Sequence, residues 1–336
     1  MKESQLLLSR FITNRCNRRS KGELEMIINT GCRTDIPAFY SKWLMNRIRE
    51  GYVLVRNPYY KSQVTKYSLS PDVVDCLAFC TKNPEPMLQY LDELDKYKQY
   101  WFVTITPYGK DIEPSVPDKE KVMESFKKLS KHIGVDSIGW RYDPIFIGNG
   151  FDVKKHIECF EKMAKNLKGY THNCTISFLD LYEKVKRNAP GIRPPTKEEQ
   201  IELALSFSKI GKENNMTIHS CCEKTYLSEY GLKCNGCMSQ EIIEKSINCL
   251  LNPPKRKNLR ADCNCLMGND IGAYNTCGHL CKYCYANANK GLVIENMRKH
   301  NEKSPFLIGG NEDGDKITEA KQKSWIINRN EQITFI

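Results

Sequence analysis

From Met26 onward the chain alternates short apolar runs, turn-rich polar segments and stretches with helical spacing. The apolar runs predict strands at Met26–Thr30, Val74–Cys80, Tyr100–Thr106, Ser137–Trp140 with its continuation, Cys174–Leu179 and Met216–Ser220. They are short and partly β-branched, as strands buried on both faces tend to be. Between them, helical spacing predicts helices at Pro37–Glu50, Met87–Leu94, Lys119–Ile133, Val153–Leu167 and Lys197–Asn214. Strands that alternate with helices imply a parallel sheet with right-handed crossovers. Six such units predict an α/β fold of the partial (β/α) barrel kind rather than a flat doubly wound sheet.

The strand ends carry polar loops: Cys32-Arg33-Thr34-Asp35-Ile36-Pro37, Thr81-Lys82-Asn83-Pro84, Thr106-Pro107-Tyr108-Gly109 and Trp140-Arg141-Tyr142-Asp143-Pro144. In a parallel barrel such loops open on the C-terminal face, where ligands bind. A proline after a polar residue is expected to stop the strand and start a helix. The expected pocket is lined by Arg33, Asp35, Lys82, Asn83, Arg141 and Asp143. Singly, Asp35 and Asn83 also suit N-caps or turns. After about residue 220 periodicity fades and Gly, Asn and Cys become frequent, the pattern of a segment organised by metal rather than by apolar packing. The expected organisation is a basic arm at 1–24 (Arg15, Arg18, Arg19, Lys21), a barrel at 25–220, a cysteine-rich segment at 221–290 and a polar tail at 291–336, with a helix around Ile317–Ile327.

Composition narrows the class. With 336 residues, 40% hydrophobic and 27% charged, the chain can bury a sizeable core. It has neither a run of about 18 uncharged apolar residues nor an apolar leader with a small-residue cleavage site, so a soluble cytoplasmic protein is expected. The net charge of +11 favours an anionic partner, such as a nucleic acid or a phosphorylated substrate, although acidic residues are mixed through most of the basic stretches.

Sixteen cysteines are many for a cytosolic chain, and in a reducing compartment clustered thiols more often bind metal than form disulfides. Cys16, Cys32, Cys76, Cys80, Cys159 and Cys174 are scattered and read as small buried hydrophobes. The others crowd into residues 221–284. The sharpest feature is Cys277-Gly-His-Leu-Cys281-Lys-Tyr-Cys284-Tyr-Ala-Asn287. Three thiolates at this spacing wrap three irons of a cubane and leave the fourth open to a substrate or cofactor, whereas electron-transfer clusters usually take four. Zinc is the rival reading. Cys221, Cys237, Cys263 and Cys265 have the count for a second centre, either another cluster or zinc; Cys222 and Cys234 could replace two of them, and Cys234-x-x-Cys237 alone would suit zinc. His219 and His279 adjoin cysteines and read mainly as polar neighbours.

The triplet, with Tyr283 before its last cysteine, resembles the signature of the radical S-adenosylmethionine superfamily, and Cys-Lys-Tyr-Cys-Tyr-Ala-Asn is similar to its spore photoproduct lyase branch. From about Thr30 to Asn287 the chain also resembles DUF1848, a bacterial family of unknown function. The matching strings are Arg-Thr-Asp-Ile-Pro-Ala-Phe-Tyr at 33–40, Glu-Gly-Tyr-Val-Leu-Val-Arg-Asn-Pro at 50–58, Thr-Lys-Asn-Pro at 81–84, Thr-Pro-Tyr-Gly-Lys-Asp-Ile-Glu-Pro at 106–114, Trp-Arg-Tyr-Asp-Pro at 140–144 and Asp-Ile-Gly-Ala-Tyr-Asn-Thr-Cys at 270–277. The superfamily resemblance implies a [4Fe–4S] cluster on Cys277, Cys281 and Cys284, S-adenosylmethionine on its open iron, Tyr283 near the adenine, and a flavodoxin or ferredoxin as electron donor. The DUF1848 resemblance favours Cys221, Cys237, Cys263 and Cys265 as the second set. In the superfamily the triplet follows the first strand, whereas here it follows the last predicted one. Either the barrel is circularly permuted, or the C-terminal segment folds back over the same mouth. No counterpart of the superfamily's glycine-rich motif for the methionine amino group is evident. Three functions follow as expectations: a radical S-adenosylmethionine enzyme, a non-catalytic [4Fe–4S] redox sensor, and a zinc-stapled nucleic-acid-binding protein.

Overall fold

The structure is a computed structural model that describes residues 26–223, 225–254, 263–266 and 268–327. The basic arm expected over 1–24, with Cys16, lies outside the described residues. The strands are β1 Ile27–Asn29, β2 Tyr52–Arg56, β3 Gln63–Ser68, β4 Cys76–Thr81, β5 Gln99–Thr104, β6 Ile138–Ile145, β7 Ile147–Gly148, β8 Asn173–Phe178, β9 Ile192–Arg193, β10 Thr217–Ser220, β11 Asn269–Asp270 and β12 Lys316–Glu319. Seven form one parallel sheet in the order β10-β8-β6-β5-β4-β1-β11. From β1 to β10 the order runs one way, without the reversal of a doubly wound sheet. The expected α/β class and all six expected strands are present.

Alternation of side chains sorts the core into two layers. Ile28, Leu77, Phe79, Trp101 and Val103 join the large cluster that includes the helices. Their neighbours Ile27, Cys76, Ala78, Tyr100 and Phe102 face the other way, where Ile242, Ile243 and Ile247 of the helix Gln240–Ile247 meet them. Amphipathic helices Lys119–Ile133, Val153–Leu167 and Lys197–Glu213 lie within two residues of their predicted bounds. Phe160 stacks on Trp140 at 4.7 Å and on Phe207 at 3.9 Å, joining sheet to helices. The helix Lys197–Glu213 starts with a reciprocal capping box between Thr196 and Glu199.

Several expectations need correction. Pro144 does not stop its strand: β6 runs through it to Ile145, and the register to β8 shifts between Tyr142 and Ile145. The first expected helix is interrupted at Tyr40, whose φ of −134° is not helical, giving Ile36–Phe39 and Ser41–Glu50. The segment Met87–Leu94 is 3₁₀ over Glu85–Tyr90 before one α-turn at Leu91–Leu94. In place of a helix around Ile317–Ile327, Lys316–Glu319 forms β12, which pairs in parallel with β3 of the β2–β3 hairpin. A partner with free ladder groups outweighs the local pattern there. No helix of the described residues is long and apolar enough to cross a membrane.

Strand β11 is the element the site depends on. It is two residues long, yet it pairs with β1 from residues 241 positions later in sequence. Asp270 secures it. It accepts the backbone N–H of Cys32 at 2.6 Å and the Arg33 Nε at 2.8 Å, while the Arg33 guanidinium also donates to the Asp270 carbonyl. Both side chains are buried. Replacing Arg33 by Met leaves that carboxylate buried without its counterion. The expected loss is about 3–5 kcal/mol of stability, measured by urea denaturation. A loss below about 1 kcal/mol would show that this pair does not anchor β11.

Candidate metal centre

Ten cysteines line one cavity of about 310 Å³ at the C-terminal ends of the strands: Cys32, Cys80, Cys221, Cys222, Cys237, Cys263, Cys265, Cys277, Cys281 and Cys284. Cys32 and Cys80, read from sequence as scattered hydrophobes, therefore belong to the cavity wall, whereas Cys76 and Cys174 are indeed buried in the core. The two walls approach closely where Gly31 passes β4. A Cβ on Gly31 would stand 2.3 Å from the Cys80 Cβ and carbonyl oxygen, so only glycine fits.

The triplet follows β11 directly. Its loop holds Leu280 at φ +57°, a left-handed conformation costly for a branched side chain. That turn folds Cys277, Cys281 and Cys284 onto the cavity side. Asn287 donates to the Cys277 carbonyl at 2.8 Å, the Cys284 N–H to the Cys281 carbonyl at 3.1 Å, and Lys184 Nζ to the Cys284 carbonyl at 2.7 Å. Burial pushes the Cys281 thiol up to about 12, against the pull of nearby Lys82. Burial, with Cys284 beside it, also raises Cys277. Such thiols hold their protons until a metal displaces them.

A polar network supports this loop. Asp35 caps the helix Ile36–Phe39 at Ala38 N–H through Oδ1, and its Oδ2 accepts the Lys82 N–H at 2.7 Å and faces His279 Nε2 at 2.8 Å. His279, 2% exposed, thus ties the triplet to the loops after β1 and β4. Glu113, 1% exposed, is a second hub. It accepts from Lys82 at 2.8 Å, from Thr106 at 2.7 Å, and from Lys119 and the Tyr283 hydroxyl. Burial alone would raise its pKa, but Lys82 and Lys119 more than offset that and hold the carboxyl at about 2.

The second group lies across the cavity. Cys221 Sγ is 3.4 Å from Cys237 Sγ, which is 3.6 Å from Cys265 Sγ. These three sulfurs, all within 4.8 Å of one another, could hold a metal ion. Cys263 is buried within hydrogen-bonding reach of Cys222 and Cys265. Cys234 is not part of this wall; its thiol faces the Thr225 carbonyl. Arg141 approaches Cys237 Sγ at 3.8 Å and pairs with Asp143, whose carboxylate also accepts from Ser177. Hydrogen bonds from Cys221 and Cys265, with Arg141 beside them, hold the Cys237 thiol well below its usual range. Arg141 Nε is buried with no hydrogen-bond partner. A cavity-wall guanidinium with an unused donor, beside a set of soft thiol ligands, fits an anionic thiolate-bound metal.

Of the residues expected in the pocket, Asp35, Lys82, Arg141, Asp143 and Tyr283 line the cavity with both cysteine groups. Arg33 and Asn83 do not. Arg33 is turned onto Asp270, and the Asn83 side chain accepts the Glu85 N–H in a local turn. His219 hydrogen-bonds Asn235 at 2.7 Å and Asn173 at 3.1 Å, as a polar neighbour would. Glu113, Lys119, Asp270 and Lys184 were not singled out from sequence. Glu113 and Asp270 were nonetheless in view, inside the strings at 106–114 and 270–277.

A family model, described as a domain of unknown function (DUF1848), matches residues 27–286, from the first residue of β1 to just beyond the triplet. The chain belongs to the DUF1848 family. No curated protein matches the chain. The DUF1848 match spans both cysteine groups, Glu113 and the Asp35–His279 pair, and it stops before the helix Lys290–Arg298.

Proposed function

We propose that this protein is an iron–sulfur enzyme of the radical S-adenosylmethionine type, with a cubane cluster on Cys277, Cys281 and Cys284. The observation that supports this reading is the sheet order. Strand β11 lies at the edge beyond β1, so in space the triplet follows the first strand of a parallel sheet, although in sequence it comes last. A circular permutation thus accounts for its displacement. With the cluster and cofactor bound, the chemistry supplied is reductive cleavage of a sulfonium and abstraction of a hydrogen atom from a substrate.

The chain's own groups prepare that chemistry. Lys82 and Lys184 lie close to the triplet and offset thiolate charge. Asp35 and His279 fix the loop, and Glu113 holds Tyr283 through its hydroxyl. Phe102, Phe178, Leu179 and Met238 give the cavity an apolar wall that, with a substrate in place, would shield a radical from water. The donor of the electron is external, of the flavodoxin or ferredoxin class. The charge of +11 makes phosphate-bearing substrates, nucleic acids included, the first to test.

The test is EPR of the anaerobically reconstituted, reduced protein with and without S-adenosylmethionine. The expected result is a [4Fe–4S]⁺ signal that changes shape on addition, with release of 5′-deoxyadenosine. A cluster signal indifferent to the cofactor would overturn the enzyme reading and leave a redox-sensing protein.

A further inference from the structure

The seven-stranded sheet has two edges, β10 and β11, and the cysteine-rich segment runs between them. Lys233 continues the sheet beyond β10 by a single parallel bridge to His219, and Gly236 N–H donates to Ser220 at 3.2 Å. From the other side, Leu266 N–H donates to the Met238 carbonyl at 2.7 Å, and β11 begins three residues later. Where these two stretches meet, Cys265 Sγ accepts the backbone N–H groups of Cys237 at 3.2 Å and Met238 at 3.4 Å. Gly236, at φ +87°, makes that approach feasible, because a Cβ there would stand 2.6 Å from the Cys265 sulfur. A turn whose amides point at one sulfur is built for a thiolate.

The spacing of the sulfurs favours a single ion over a cubane. Four thiolates on a single zinc at about 2.3 Å define a tetrahedron whose edges are about 3.8 Å. The separations of 3.4 Å for Cys221–Cys237 and 3.6 Å for Cys237–Cys265 lie near that edge, and all three sulfurs are within 4.8 Å of one another. Thiolates of a cubane each sit on a different iron and point outward, so they stand farther apart. Among the described residues, the triplet sulfurs form no such compact set. We infer that Cys221, Cys237 and Cys265, whose sulfurs form the compact set, hold one zinc-class divalent ion, with Cys263 moving in from beside Cys265 as the fourth ligand, and that this ion joins the two stretches of chain between β10 and β11. The site is closed, with four protein ligands, and chemically distinct from the open triplet across the cavity. Arg141 balances its negative charge from the cavity side.

Elemental analysis of the anaerobically purified full chain, beside the variant with Cys277, Cys281 and Cys284 all replaced by Ala, tests this directly. The expected result is one zinc per chain in both, with iron lost only in the variant. Cobalt(II) exchanged into the variant is expected to give the intense visible bands of a tetrahedral thiolate site. Cys263→Ala is expected to weaken zinc at least tenfold, and Cys222→Ala to leave it bound. Iron without zinc in the triple variant, or cobalt spectra of an octahedral oxygen site, would overturn the inference. Zinc in the absence of any iron would instead overturn the proposed function and leave this site standing.

Discussion

Replacing Cys281 by Ala is expected to remove one cluster's iron from the protein and to abolish cleavage of S-adenosylmethionine. A cubane with an open iron already uses the fewest protein ligands that secure it, so losing one leaves two irons without thiolate. Cys281 is buried at the centre of the triplet, 7% exposed, in the same apolar cluster as Tyr283 and Tyr108. Alanine fits that place, so the fold should persist. Iron content, the visible absorption of the cluster and 5′-deoxyadenosine release are the measurements. Full iron in the variant would mean that the ligand lies elsewhere in the cavity, whose wall also carries Cys32 and Cys80.

Glu113 is expected to matter as much for stability as Arg33. It pairs with two lysines whose side chains are 14% and 17% exposed, and Glu113→Ala strands both cations against the triplet loop. The expected loss is about 3–5 kcal/mol at neutral pH. The pH dependence has a definite sign. A carboxyl held at about 2 contributes fully above its ordinary value of 4.5, and its contribution disappears as pH falls from 4.5 towards 2. Holding the carboxyl at about 2 rather than 4.5 corresponds to about 3 kcal/mol. Glu113→Gln should therefore be about that much less stable than the wild type near pH 7, and the gap should narrow below pH 4.5. Denaturation curves followed by circular dichroism at several pH values provide the comparison. A constant gap would mean that the carboxylate's charge is not what stabilises the network.

The regular part of the fold was legible because its signals are local. Continuous apolar runs such as Gln99–Thr104, buried at every position, follow from a strand covered on both faces. The helix Lys119–Ile133 carries its apolar residues at helical spacing, and the sequence marks its bounds closely. The cysteine triplet stood out for a chemical reason: three thiols at that spacing are what the proposed metal site would need. The β2–β3 hairpin escaped notice, as did the 3₁₀ turn and the extension of β6 through Pro144. In each, a neighbouring strand or a fixed loop decides a conformation that the residues alone leave open.

The site divides along the same line. Residue types and spacing by themselves determined that this chain is an α/β protein with a parallel sheet, that its later cysteines cluster in a segment that could hold metal, and that polar loops after the strands face one side. Only the tertiary structure decided which of those residues meet. It turned Arg33 away onto Asp270, set Asn83 in a turn, and brought Cys32 and Cys80 into the cavity. It also put β11 beside β1, so that a motif last in sequence lies next to the first strand. The physical reason is range. Periodicity and spacing report forces between residues a few positions apart, whereas β11 is held by a buried ion pair 237 positions distant in sequence, and such a partner leaves no periodic trace in the chain.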